Sequence, residues 1–196
     1  KLTYEVIEGW PKLPSGWAFK LVGAVAVDRQ DRVYVFCRGE HPVVLFDRDG
    51  KFIRSWGEGH FKSAHGMCFD AQGNLWLADS ADHTVKKFSA EGKHLLTLGT
   101  KDKPGAPGQP FNRPTDVAVA PTGEVYISDG YGNARVHVFS AEGRHMFSWG
   151  EPGTGPGQFN LPHNIWVHKD GRVLVSDREN HRIQIFTKDG KYITQW

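Results

Sequence analysis

Four segments of this chain repeat one another, and a repeat of this length allows few folds. They run Gly23–Gly57, His65–Gly99, Thr115–Gly150 and His163–Trp196. Asp28, Asp70, Ala120 and His168 hold equivalent positions, spaced 42, 50 and 48 residues apart. The variation lies in the connections, such as Thr100–Gly108, where surface loops absorb insertions.

Each unit divides into four short apolar runs separated by turn clusters. Stretches such as Val33-Tyr34-Val35-Phe36 and Val125-Tyr126-Ile127 read as strands. Ala71-Gln72-Gly73-Asn74 and Pro121-Thr122-Gly123-Glu124 turn a first strand into a second. Arg48-Asp49-Gly50-Lys51, Ala90-Glu91-Gly92-Lys93, Ala141-Glu142-Gly143-Arg144 and Lys188-Asp189-Gly190-Lys191 turn a third into a fourth. Glycine there supplies the positive φ of a tight hairpin. No stretch carries a capped helical period. Four strands in roughly 40–45 residues are the pattern of a β-propeller blade. The expected fold is all-β: four-stranded antiparallel blades at residues 23–57, 64–99, 114–150 and 162–196, behind a lead-in segment 1–22. Trp56, Trp149 and Trp196 recur in the fourth strand, with Leu98 in the second unit, and are expected to pack between blades.

Composition narrows the function classes. The chain has 196 residues, enough for a sizeable core, and a net charge of +2 with both signs interspersed. No basic cluster interleaved with aromatics stands out, which argues against nucleic acid as a partner. No apolar run reaches the length of a membrane span. Cys37 and Cys68 fall in neighbouring units and read as buried free thiols rather than a disulfide framework. The sequence begins at Lys1 and shows no signal peptide, but a leader could have been removed or omitted, so the compartment stays open.

The blade sequence looks like the NHL repeat, which usually closes with about six blades. Either further blades lie outside these four units, or several chains cooperate to cover open blade edges by self-association. Counting back five residues from each anchor gives Gly23, His65, Thr115 and His163, at the start of each first strand. First strands line the central channel of a propeller. Histidines on alternate blades of a six-blade ring form a three-fold set, and three histidines with one open position are a common catalytic zinc arrangement. His65 and His163 would be the first two ligands, with the third expected on a sixth blade. The same pattern also occurs at blade entries without metal. The other eight histidines show no such register, and most are expected on solvated loops or strand edges.

A more specific resemblance rests on several motifs. They are Val35-Phe36-Cys37-Arg38-Gly39-Glu40-His41, Ala64-His65-Gly66, Pro114-Thr115-Asp116-Val117, Ser128-Asp129-Gly130-Tyr131-Gly132-Asn133-Ala134-Arg135, Gly157-Gln158-Phe159 with Pro162-His163, and Asp177-Arg178-Glu179-Asn180. With these the chain resembles the peptidyl-α-hydroxyglycine α-amidating lyases, from Gly9-Trp10-Pro11 onward. The resemblance implies that His65 and His163 bind zinc. It implies that Arg38 and Arg178 are active-site arginines and that Tyr131 is the catalytic base. It also implies a structural calcium held partly by the backbone carbonyls of Val25 and Met67. Animal enzymes of this family carry a disulfide cysteine directly after the tyrosine; here that residue is Gly132.

The implied reaction suits these residue types. Zinc lowers the pKa of the substrate hydroxyl as a Lewis acid. A base then removes its proton, and the C–N bond breaks to give a peptide amide and glyoxylate. A tyrosine with an ordinary pKa near ~10 needs neighbouring cations for that role. Arginine also suits the substrate carboxylate. Each residue has a plainer reading as well. Arg38 and Arg178 share one blade register and could bind backbone carbonyls, Tyr131 could be a packing residue, and Asp79, Asp129 and Asp177 read as turn-stabilising. Two functions therefore stand side by side: a zinc-dependent lyase acting on a peptide substrate, and a non-catalytic propeller that binds a peptide or protein ligand.

Overall fold

The computed structural model describes residues 2–196. It contains sixteen strands in four antiparallel sheets, each with its strands in sequential order. Blade 1 comprises β1 (Leu21–Val27), β2 (Val33–Arg38), β3 (Val43–Phe46) and β4 (Phe52–Trp56). Blade 2 comprises β5 (Ala64–Phe69), β6 (Leu75–Asp79), β7 (Thr84–Phe88) and β8 (His94–Gly99). Blade 3 comprises β9 (Asp116–Val119), β10 (Val125–Asp129), β11 (Arg135–Phe139) and β12 (His145–Trp149). Blade 4 comprises β13 (Pro162–Val167), β14 (Val173–Asp177), β15 (Arg182–Phe186) and β16 (Tyr192–Gln195). Among the described residues the one helical element is a 3₁₀ turn, Arg178–Asn180.

The repeat anchors close the first turn of each blade. The amides of Asp31, Gly73, Gly123 and Gly171 donate to the carbonyls of Asp28, Asp70, Ala120 and His168 at 2.9–3.1 Å. A meander of this kind needs only hairpin connections, so each blade is local in sequence.

The core lies between blades rather than within one. A blade is a single sheet and must bury its apolar face against a neighbour. Tyr34, Phe36 and Leu45 of blade 1 pack on Leu75, Leu77 and Phe88 of blade 2. Trp76 and Val85 pack on Val125 and Ile127, and Val136 and Val138 pack on Val173 and Phe186. The recurrent fourth-strand residues join these layers: Trp56 in the first, Leu98 in the second and Trp149 in the third. Trp56 is 8% exposed, whereas Trp196, on the face of blade 4 that no described residue covers, is 64% exposed. The opposite face of blade 1 is covered instead by Leu13 and Phe19 of the lead-in segment.

First strands of successive blades run side by side around the axis. A Cβ at Gly23 would stand 2.7 Å from the Ala64 carbonyl oxygen, so glycine allows β1 and β5 to approach. Thr115 Oγ1 bridges blades 3 and 4 by donating to the Pro162 carbonyl at 2.8 Å. Both cysteines are free thiols, Cys37 buried and Cys68 half-buried. One histidine departs from the expected solvated positions. His137 is fully buried on β11, between the Asp129 carboxylate at 3.2 Å and Ser148 Oγ at 2.7 Å, with the Phe111 ring of the blade entry 5.6 Å away.

Candidate functional site

Backbone irregularities at the starts of the first strands aim the candidate histidines. Between β5 and β6, Ala64 pairs with Asp79 and Met67 with Leu77, so His65 and Gly66 together face Ala78. Between β13 and β14, Pro162 pairs with Asp177 and Asn164 with Ser176, so His163 has no partner. In β1 the same slip leaves Gly23 unpaired. Such bulges free a residue from the ladder and redirect its side chain.

The two redirected imidazoles meet Tyr131, which follows β10. Tyr131 Oη lies 3.0 Å from His65 Nε2 and 3.1 Å from His163 Nε2. The imidazole centroids are 4.8 Å apart, with the rings inclined at 68°. The hydrogen-bond network assigns the tautomers. Asn164 Nδ2 donates to Asp116 Oδ2, which turns Asn164 Oδ1 toward His163 Nδ1 at 3.0 Å. His163 therefore carries its proton on Nδ1. His65 bonds the Thr115 backbone through its ring, a contact that favours its protonated form, so there too the ring donates. Both Nε2 atoms thus present lone pairs to one point, and the single hydroxyl proton of Tyr131 satisfies only one of them.

This donor chemistry fits a zinc ligand pair. Neutral imidazoles bind zinc through one nitrogen while the other donates to a carbonyl or amide oxygen. Burial is the main cause holding His65 far below an ordinary histidine, at about 4, and electrostatic interaction with His163 and with the Arg38 and Arg178 guanidinium groups lowers it further. His65 is therefore neutral at pH 7. Among the described residues no third histidine, cysteine or carboxylate joins the pair into a metal-binding group.

The other candidates surround this point in different ways. Arg38 ends β2, and its Nε donates to the Ala64 carbonyl at 3.4 Å, beside His65. It also lines a cavity of about 400 Å³ with Trp17, Lys20 and His41. Arg178 opens the 3₁₀ turn after β14; its side chain is half exposed and paired with Glu179 at 3.2 Å. Both guanidinium groups act on His65 electrostatically, yet neither bonds Tyr131 among the described contacts. Tyr131 also lines a second cavity, of about 620 Å³, with Arg135, Glu151 and Asn160. Val25 on β1 and Met67 on β5 occupy adjacent inner strands, Val25 exposed and Met67 buried.

Two supporting groups escape the sequence patterns. Arg113 holds a left-handed backbone, φ 65°, and its guanidinium carbon sits 5.0 Å from the Tyr131 ring centroid. The equivalent positions in the flanking blades are Ser63 and Leu161, so no repeat marked it. Asn112 Nδ2 donates to the Gly132 carbonyl at 3.4 Å, and a Cβ at Gly132 would collide with the Asn112 amide. Asn112 thus packs against the residue after the tyrosine and secures its loop.

The recurrent aspartates hold the blade entries. Asp79 accepts from the Lys62 and Ser63 amides, Asp129 from the Asn112 amide, and Asp177 from the Asn160 amide. Each entry leads directly to a channel position: His65, Thr115 or His163. In blade 1 the same place is Cys37, whose thiol donates to the His41 carbonyl at 3.2 Å.

Comparison with known proteins agrees with this architecture. The family model described as "NHL repeat" matches residues 61–88, 111–139 and 159–186. Human NHL repeat-containing protein 3 is 36% identical over 214 residues, covering all of this chain and 60% of that protein. Rat peptidylglycine α-amidating monooxygenase is 36% identical over 204 residues, covering 87% of this chain and 21% of that protein. Peptidyl-α-hydroxyglycine α-amidating lyase 2 of Drosophila melanogaster is 34% identical over 211 residues, covering 92% and 50%. The chain thus spans at most three-fifths of these relatives. Among solved structures, a streptogramin B lyase superposes with a TM-score of 0.73 at 14% identity, over 92% of this chain and 56% of that one, a likeness of fold.

Proposed function

Because this chain is an NHL-repeat β-propeller with amidating lyases among its relatives, we propose that it carries part of a zinc-dependent peptidyl-α-hydroxyglycine α-amidating lyase site. The observation that carries this reading is the convergence of two Nε2 lone pairs on Tyr131 Oη. His65 and His163 would hold the zinc through those nitrogens, with the remaining protein ligand supplied from outside residues 2–196. Bound there, zinc supplies a Lewis acid for the substrate hydroxyl. Val25 and Met67 would offer backbone carbonyls to a structural calcium.

The substrate is a peptide ending in α-hydroxyglycine. Arg38 and Arg178 orient its carboxylate through charge-assisted hydrogen bonds. Tyr131, acting as the phenolate, accepts the substrate hydroxyl proton at Oη, with the Arg113 guanidinium 5.0 Å from its ring centroid as a local positive charge. The oxygen's electron pair forms the C=O of glyoxylate as the C–N bond breaks. The proton passes from Tyr131 to the departing amide nitrogen, so the peptide amide and glyoxylate leave with all atoms balanced.

Glyoxylate release from an α-hydroxyglycine peptide, in zinc-supplemented buffer, tests the reading. Tyr131→Phe is expected to lower release by about 10²–10⁴-fold, the usual contribution of a general base, with zinc content unchanged. His163→Ala is expected to lose the zinc. The second reading, a peptide- or protein-binding propeller, is favoured by the match of the whole chain to NHL repeat-containing protein 3. It prevails if zinc neither copurifies nor binds on titration and no glyoxylate forms.

A further inference from the structure

The third strands of blades 3 and 4 begin with the same residue, put to different use. Arg135 pairs with Asp129 across the ladder as Arg182 pairs with Asp177. Every N–H group of the Arg182 guanidinium is engaged. Its Nε donates to Asp177 Oδ2, and its terminal nitrogens donate to Gln195 Oε1 and to the Thr154, Gly155 and Gln158 carbonyls, all at 2.7–2.9 Å. Arg182 thereby fastens the entry loop of its blade. Arg135 makes no such bond among the described residues, and its Nε is buried without a partner.

The entry loop of blade 3 is held without it. In blade 4, Gln184 accepts from the Gly157 amide and donates to the Gln158 carbonyl and to Asp177 Oδ2, at 2.7–3.1 Å. In blade 3, Asn133 makes the corresponding three bonds, to the Gly108 amide, the Gln109 carbonyl and Asp129 Oδ2, at 2.8–3.3 Å. The Arg135 guanidinium is left beside Gly108, where a Cβ would stand 3.4 Å from Nη1. There it lines the cavity of about 620 Å³ that Tyr131 also borders. Pro107, Pro152, Phe159 and Leu161 give this cavity apolar walls. Glu151 lines it as well, with Oε1 held by Gln158 Nε2 at 2.9 Å. A guanidinium whose donors are unmet beside apolar walls is a strong site for a carboxylate.

We propose that this cavity is a peptide subsite in which Arg135 donates to the carboxylate of an acidic side chain. The ligand chemistry follows from the lining. The volume exceeds that of a single inorganic anion, and a mostly apolar wall with a few polar groups suits an organic ligand. Arg135 answers a carboxylate, and Glu151 offers an acceptor for a main-chain amide of the same peptide. Because Tyr131 borders the cavity, the acidic residue is the one that precedes the terminal α-hydroxyglycine. This inference rests on the proposed reading that a peptide binds at Tyr131, and it adds a preference for Glu or Asp before the reacting residue.

Peptide binding without chemistry tests it. The probes are N-acetyl-Ala-Glu-Gly and N-acetyl-Ala-Gln-Gly, which end in ordinary glycine and release no glyoxylate. They share a terminal carboxylate, so a difference between them reads the side chain alone. In NMR titrations of the full chain, the Glu peptide should bind about tenfold more tightly than the Gln peptide and shift the Arg135 Nε–Hε resonance. Arg135→Gln should erase that preference and leave Tm unchanged, because Arg135 fastens nothing, whereas Arg182→Gln should lower Tm. Equal binding of the two peptides overturns the proposal. So does an equal Arg135 shift with inorganic phosphate at the same concentration, or a Tm loss in Arg135→Gln that matches Arg182→Gln. Glyoxylate release separates this inference from the lyase reading. If the lyase reading fails, no α-hydroxyglycine peptide releases glyoxylate, yet the preference for the Glu peptide persists. If the subsite fails, glyoxylate forms with the same kcat/KM from Glu- and Gln-containing α-hydroxyglycine peptides.

Discussion

Asp116 on β9 shows how a single half-buried carboxyl group is set by its surroundings. Its carboxylate accepts from the Ile165 amide at 3.2 Å and from Asn164 Nδ2 at 3.3 Å, and it lies against Gly66 of the blade on its other side. Burial pushes it up to about 6, against the opposing pull of those donors. In the unfolded chain the group ionises near 3.8, so between these values the folded state holds more protons and stability falls as pH rises. His65 acts in the opposite sense: lowered to about 4 from 6.5, it adds stability that is present above 6.5 and lost as pH falls toward 4. Asp116→Asn should therefore raise Tm at pH 7, by up to about 3 kcal/mol of stability. The gain should vanish near pH 4, where the acid sensitivity contributed by His65 remains. Thermal unfolding of both proteins at the two pH values checks this, and a gain independent of pH contradicts it. None of this environment was legible in the string Pro114-Thr115-Asp116-Val117, because the groups around Asp116 come from residues nearly fifty positions away in either direction.

At the scale of the element, the turn and strand pattern of each blade was readable because it is local. Alternation, turn glycines and the recurring aspartates all act within a few residues of themselves. The aspartates do more than stabilise a turn. Asp177 accepts from the Asn160 amide at 2.7 Å, Asn180 Nδ2 at 2.8 Å, Arg182 Nε at 2.8 Å and Gln184 Nε2 at 3.1 Å. It thereby ties the entry strand carrying His163 to the third strand of the same blade. Asp177→Ala leaves four donors without their acceptor and is expected to cost about 2–4 kcal/mol, read from denaturant midpoints. Hydrogen exchange should show the loss concentrated at residues 159–163. The strand irregularities that free His65 and His163 were not readable, since a bulge is a relation between two strands and leaves no fixed residue signature.

For the molecule as a whole, stability resides in the layers between blades. The fourth-strand tryptophans are equivalent in sequence but unequal in energy. Trp56→Ala opens a cavity against Phe88 and should cost about 3–5 kcal/mol, while Trp196→Ala, at a 64% exposed position, should change stability by less than about 0.5 kcal/mol. Chemical denaturation of the two variants separates them. The sequence by itself determined the repeat, the strand count of each blade, the all-β architecture and the shared register of His65 and His163. These follow from local periodicity, which survives in a linear string. Only the tertiary structure decided that the two imidazoles turn their lone pairs to a common point at Tyr131 and that Arg113 covers the tyrosine ring. Both depend on contacts between residues that the sequence keeps apart, the first on how one blade leans on the next and the second on how the entry loop of blade 3 folds over its second strand.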